Sequence, residues 1–216
     1  MKRLVILRPE PGASESVAKA TAHHLDAIAV PLFVVQPINW TLPDHEEWDG
    51  IVATSANAFR HGGAGLQKMT SLPVYAVGEA TATAARIAGF SIASIGDGGA
   101  EELASRLPDG RLLHPCGAQF RSIPGTTPIP VYRSIAIDFP LGLPALDGAV
   151  VVVHSPRAGA RLAELVHERR SITLAAISDA AAAVAATGWG RVAVADRPRD
   201  DALLALAQRL CQEDRR

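Results

Sequence analysis

Cysteine is almost missing from this chain, which has two thiols, Cys116 and Cys211. They form no Cys-x-x-Cys pair and have no histidine at zinc-finger spacing. That excludes a disulfide framework and a structural zinc site, and it points to reduced thiols in a cytoplasmic protein. Aromatic residues supply only 5% of the chain while 48% is hydrophobic, so the core has to be built from Ala, Val, Leu and Ile. Long apolar runs are absent too. Runs such as 149–153 have the length of a strand and fall far short of the ~20 residues that span a bilayer, so no membrane helix is expected. The N-terminus places Lys2 and Arg3 before only four apolar residues, too few for a signal-peptide core, and reads as a first strand. Charge of one sign is also lacking. A formal net charge of −1 argues against a nucleic-acid binder, which shows a basic excess or stripe, so any anionic ligand has to be held locally.

Several catalytic signatures are missing as well. The chain has no Gly-x-Ser-x-Gly elbow, no phosphate loop ending in Gly-Lys-Ser/Thr and no His-Glu-x-x-His, which removes support for those enzyme classes. The glycine clusters at 62–65 and 96–99 do not spell Gly-x-Gly-x-x-Gly. They read as hinges or turns, not as a dinucleotide site.

What is present is alternation. Short β-type runs at 3–7, 28–35, 50–54, 74–77, 91–95, 111–114, 129–137, 149–154, 173–177 and 191–195 are separated by Ala-rich helical stretches. The helices are expected at 15–25, 56–62, 81–88, 100–107, 158–168, 180–186 and 200–211. This is the pattern of an α/β protein with parallel sheets and crossover helices. The second half echoes the first. Ser55 in Ala53-Thr54-Ser55-Ala56-Asn57 stands 100 residues before Ser155 in Val153-His154-Ser155-Pro156-Arg157, and the same offset carries Gly78-Glu79-Ala80 onto Ser178-Asp179-Ala180. Two motifs in one register imply an internal duplication and two similar lobes.

In open parallel sheets, ligands bind beyond the carboxyl ends of the strands, where turns expose backbone N–H groups and helix N-termini. The small polar residues of this chain gather in such turns: Thr54-Ser55-Ala56-Asn57, Gly78-Glu79-Ala80-Thr81, His154-Ser155-Pro156-Arg157 and Ser178-Asp179-Ala180. Each turn serves equally well as a helix cap, and these residues do not separate capping from ligand contact. Arg8, at the proline-marked exit of the first strand, is either an anion ligand or a solvated charge. His114 and His154 end strands, where a lone histidine is more often hydrogen-bonded structure than catalyst. Tyr132, inside a β-rich run, reads as packing with its hydroxyl at the edge.

Taken in order, these segments resemble the uroporphyrinogen-III synthase family. The match runs through Leu7-Arg8-Pro9, Asp49-Gly50-Ile51-Val52-Ala53-Thr54-Ser55-Ala56-Asn57-Ala58, Val74-Tyr75-Ala76-Val77-Gly78-Glu79-Ala80-Thr81-Ala82, Pro130-Val131-Tyr132 and Val153-His154-Ser155-Pro156. The resemblance implies two flavodoxin-like lobes joined by a two-stranded linker, with a cleft between them. One lobe would take residues 1–36 and 136–216, the other 37–135 including the linker residues. It also implies a monomeric, cytoplasmic enzyme that needs neither cofactor nor metal. Its substrate would be the linear tetrapyrrole hydroxymethylbilane, closed to uroporphyrinogen III with loss of water and inversion of ring D. Arg8, Ser55, Ala56, Asn57, Gly78, Thr81, Ser155 and Ser178 would then contact substrate, largely through backbone N–H groups, and Tyr132 would deliver a proton to the departing hydroxyl. The chain departs from the family at Ser178-Asp179-Ala180, where a Gly-Pro-Thr-Thr turn is common, and at His114-Pro115-Cys116-Gly117, where an Arg-Gly turn is usual. The rival reading is a non-catalytic, two-lobed module that clamps a small anion.

Overall fold

The computed structural model describes residues 1–42, 47–96 and 99–213. Asp97 and Gly98 of the second glycine cluster lie outside the described residues. In chain order the elements are β1 (Leu4–Ile6), α1 (Gly12–Ala22), β2 (Ala27–Ala29), β3 (Phe33–Pro37), β4 (Gly50–Ala53), α2 (Asn57–His61), α3 (Gly63–Gln67), β5 (Val74–Ala76), α4 (Glu79–Ile87) and β6 (Ile92–Ile95). They continue with α5 (Ala100–Ala104), β7 (Leu112–Gly117), β8 (Thr126–Ala136), β9 (Val150–Val153), α6 (Pro156–Leu165), β10 (Thr173–Ala176), α7 (Asp179–Ala183), β11 (Arg191–Val194) and α8 (Asp200–Gln212). A 3₁₀ turn, Leu143–Leu146, precedes β9. Among the described residues, no helix is long and apolar enough to cross a membrane.

The chain divides into two compact units. Unit 1 comprises Met1–Val34 and Ala136–Arg216, and unit 2 comprises Val35–Ile135. The sheet of unit 1 has the order β2-β1-β9-β10-β11, and its four pairings are all parallel. Numbered within the unit this is 2-1-3-4-5, the flavodoxin-like order. The second sheet is β3-β8-β7-β4-β5-β6. Its core, β8-β7-β4-β5-β6, repeats the pattern with the last two strands of the chain segment in the places of the first two. The expected duplication is therefore present, in permuted form, with β4 and β5 matching β9 and β10.

Burial explains the composition. The central strands Leu4–Ile6, Gly50–Ala53, Val150–Val153 and Thr173–Ala176 are buried throughout, because helices cover both faces of a parallel sheet and such strands read as continuous apolar runs. Unit 1 consequently has a core on each sheet face, one around Val5, Val151, Leu162 and Leu174 and one around Ile6, Val152, Leu203 and Leu210. Unit 2 does likewise around Ile51, Phe59, Val74 and Leu113 and around Val52, Leu103 and Leu112.

Three expectations are corrected. The run 28–35 is two strands, β2 and β3, because Pro31 has no N–H to continue the ladder. The helix expected at 15–25 starts and stops earlier, at Gly12–Ala22. His24 adopts a left-handed conformation (φ 59°) and the Leu25 N–H turns back to Ala20 O at 3.1 Å, which closes the helix. The cluster at 62–65 is not a simple hinge, since Gly63–Gln67 forms α3. Trp40 packs on this segment. Its indole N–H donates to Gly62 O at 2.9 Å, and a Cβ at Gly65 would lie 2.8 Å from its ring.

Candidate functional site

In unit 2 the turn after β4 gathers the polar groups. Ser55 Oγ accepts the Asn57 N–H at 3.2 Å, and Ala58 N–H donates to Ser55 O at 3.1 Å. Ala56 is the N-cap of α2 and Asn57 its first residue. Tyr132 reaches this turn from β8, with its phenol near enough to the Ser55 side chain for the serine to affect its ionisation. Burial raises the phenol above its ordinary pKa, the Ser55 side chain opposes the rise, and the nearby Cys116 adds to it. The hydroxyl therefore keeps its proton at neutral pH. His61 from α2 lies 6.2 Å from the Tyr132 ring, centroid to centroid. Gly117 admits that ring, since a Cβ there would sit 2.8 Å from it.

Further along the same sheet edge, Gly78 caps α4 in an extended conformation with no side-chain hydrogen bond. The space around it is open, the nearest atom to an added Cβ being Gly96 O at 3.9 Å. Thr81 is buried in the first turn of α4, so its own side chain faces protein.

His114 does not end its strand as expected. β7 runs on to Gly117, and His114 is buried within it at 1% exposure. Its Nε2 lies 3.1 Å from Thr54 Oγ1. Burial depresses its pKa to about 4, so it is neutral at physiological pH. The departure His114-Pro115-Cys116-Gly117 is accordingly a buried strand. Cys116 behaves as a core residue, its thiol pushed up to about 11.

Unit 1 carries a charged cluster at the carboxyl ends of β1 and β9. Asp200, the first residue of α8, accepts hydrogen bonds from Arg8 Nη1 (3.2 Å), Ser16 Oγ (3.0 Å), Lys19 Nζ (2.7 Å) and His154 Nε2 (3.1 Å). Burial by itself would raise the Asp200 carboxyl. The bonds from His154 and Lys19 and the Arg8 charge outweigh it and hold the group well below the usual carboxylate range. His154 is the reverse case, where burial outweighs the carboxylate and its pKa is lowered. Arg8 is thus one member of a hydrogen-bonded network. Gly12 allows this, because a Cβ there would lie 2.6 Å from Arg8 Nε. Ser155 and Ser178 act as caps, accepting Ala158 N–H at 3.2 Å and Ala181 N–H at 3.3 Å. Arg157 sits over the Phe33 ring at 4.5 Å.

The fold therefore assembles Tyr132, Ser55, Ala56 and Asn57 in one unit and Arg8 with His154 in the other. Asp200, Ser16 and Lys19 were not singled out from sequence. The acidic helix start at Asp200 is legible, but its partners lie up to 192 residues away and nothing local marks them. Among the described residues, no group of three or more His, Cys, Asp or Glu side chains could hold a metal ion.

A structure of uroporphyrinogen-III synthetase from Helicobacter pylori superposes with a TM-score of 0.68, at 17% identity, over 97% of this chain and 100% of that one. A mutant uroporphyrinogen III synthase from Thermus thermophilus gives a TM-score of 0.52 at 15% identity, over 97% and 99%. At such identities the likeness is one of fold. No curated protein sequence matches. The family model described as uroporphyrinogen-III synthase HemD, however, matches residues 14–123, just over half of the chain and inclusive of the Ser55 and Gly78 turns. The chain belongs to the uroporphyrinogen-III synthase family.

Proposed function

We propose that this protein is a uroporphyrinogen-III synthase, a monomeric, cytoplasmic cyclising lyase. It closes hydroxymethylbilane to uroporphyrinogen III with loss of water and inversion of ring D, and it uses no cofactor. The observation that carries this reading is the family match through the Ser55 and Gly78 turns, supported by the protonated Tyr132 phenol beside the Ser55 turn.

The substrate cyclises unaided to the uninverted isomer, so the enzyme's task is chiefly to fold the chain into the geometry that leads through a spiro intermediate. Its eight carboxylates are met by local groups. Hydrogen bonds that involve a charge contribute about 1.5–3 kcal/mol each, and a helix N-terminus adds about 0.3–1 kcal/mol. The uncapped start of α4 at Gly78 and the backbone around Ser55, Ala56 and Asn57 suit that role. Ser155 and Ser178 shape the corresponding helix starts of unit 1, Thr81 contributes its place in the first turn of α4, and Arg8 brings a positive charge steadied by Asp200. As the hydroxymethyl C–O bond breaks, Tyr132 gives its proton to the departing oxygen, which leaves as water. The raised pKa favours this role because the phenol is protonated before the step.

The test is to supply the purified protein with freshly generated hydroxymethylbilane, oxidise the product and separate uroporphyrin isomers I and III by chromatography. Mostly isomer III is the expected result. Isomer I alone, at the spontaneous rate and with folded protein, would overturn the proposal.

A further inference from the structure

Two histidines, His114 and His154, are hydrogen-bonded at matching turns of the repeat. Thr54 and His154 stand 100 residues apart, each immediately before the serine of its turn. In unit 2, Thr54 Oγ1 is tied to His114 Nε2 at 3.1 Å. In unit 1, His154 Nε2 is tied to Asp200 Oδ1 at 3.1 Å. The partners come from different elements, β7 in one unit and the first turn of α8 in the other. The histidine is the strand neighbour in one case and the turn residue in the other. A conserved pairing inherited from the duplication would not exchange roles in this way, whereas a shared mechanical need at that position would.

That need is visible in the backbone. The ladder beside each strand end closes with Val77 N–H on Ala53 O and Ile177 N–H on Val153 O. The next residue, Thr54 or His154, is fixed by its side chain, and the serine after it orders the helix start by accepting Asn57 N–H or Ala158 N–H. We infer that His114 and His154 are positioning residues, each clamping the strand end from which a serine turn meets the substrate, an inference that rests on the synthase reading. Burial keeps both rings neutral, so each clamp persists across the physiological pH range. A turn that must bind a flexible chain in one geometry gains from such prior fixation, because even a small misplacement of positioning groups costs a large factor in rate.

The test combines amide exchange with product analysis on the full chain. His114→Leu is expected to speed exchange at Asn57 and Ala58 about tenfold, the loss of one neutral hydrogen bond, and to lower kcat/KM by a similar factor with more isomer I. Exchange at Ala158 and Gly159 stays as in the wild type. His114→Gln, whose amide reaches the position of Nε2, restores both values. Thr54→Val reproduces the defect alone and adds nothing to His114→Leu. His154→Leu gives the mirror result, with faster exchange at Ala158 and Gly159. Unchanged exchange in folded His114→Leu, or losses from His114→Leu and Thr54→Val that add in full, would overturn the clamp. Should His114→Leu fail to fold, Thr54→Val supplies the same reading. Wild-type protein yielding only isomer I would sink the synthase reading instead, and the exchange rates would still decide the clamp.

Discussion

Tyr132 illustrates how little a residue's type says until its neighbours are known. In a β-rich run it reads as packing. In the structure its phenol stands beside Ser55 and its proton is retained. General acid catalysis contributes about 10²–10⁴-fold, so Tyr132→Phe is expected to lower kcat about 100-fold with little change in KM or melting temperature, measured by isomer-resolved kinetics. Full turnover by the folded variant would remove Tyr132 from the mechanism. His114 supports a second prediction at this scale. Its folded pKa of about 4 lies below the 6.5 of the unfolded chain, so the unfolded state binds the extra proton first. The stability that His114 confers is complete above pH 6.5 and falls as pH drops toward 4, by up to about 3 kcal/mol. His154 shifts in the same direction, and urea midpoints across pH 4–7 check the sum. In His114→Gln that acid-side loss should shrink. The network of Asp200 was invisible in the sequence for a related reason: four hydrogen-bond partners converge on it from α1 and from the turns after β1 and β9, and no local pattern encodes such convergence.

At the scale of elements, the turns carry the argument. If the Ser55 turn binds through its backbone, Ser55→Ala should lower kcat/KM only several-fold, since it removes a side-chain hydrogen bond of about 1 kcal/mol. Ser55→Pro deletes the N–H and should nearly abolish activity, and equal effects from both would count against backbone recognition. Helix α6 gives a cleaner structural case. Ser155 caps it with an extended backbone and Pro156 follows at the first helical position, so Ser155→Ala is expected to cost about 1 kcal/mol in denaturant unfolding. Gly159 on the same helix faces Ala181 O, which an added Cβ would approach to 2.6 Å. Gly159→Ala should therefore force α6 away from α7 and destabilise the protein by about 1–3 kcal/mol. Most elements were legible because a buried parallel strand has to be apolar throughout. Their ends were not, because His24, Pro31 and Gly63 act through local backbone geometry that periodicity does not report.

For the molecule as a whole, the chain order has a consequence for folding. The 35–135 segment is continuous and has its own sheet and cores, whereas the sheet of unit 1 needs β1 and β2 from the far end of the chain. A fragment covering 33–135 is expected to unfold cooperatively in urea. A fragment covering 136–216, which leaves β9 without its neighbour β1, should not. Retained cooperativity in the second fragment would contradict the requirement for a completed sheet.

The sequence by itself determined the α/β class, the strand and helix alternation, the 100-residue echo and the family resemblance, because burial on both faces and turn chemistry leave marks on neighbouring residues. Only the tertiary structure decided the permuted strand order of unit 2, the approach of Tyr132 to Ser55, the Thr54–His114 pair and the charges around Asp200. Those depend on which distant segments become neighbours, and that choice is made by the packing of whole sheets and helices, where no single stretch of sequence holds both partners.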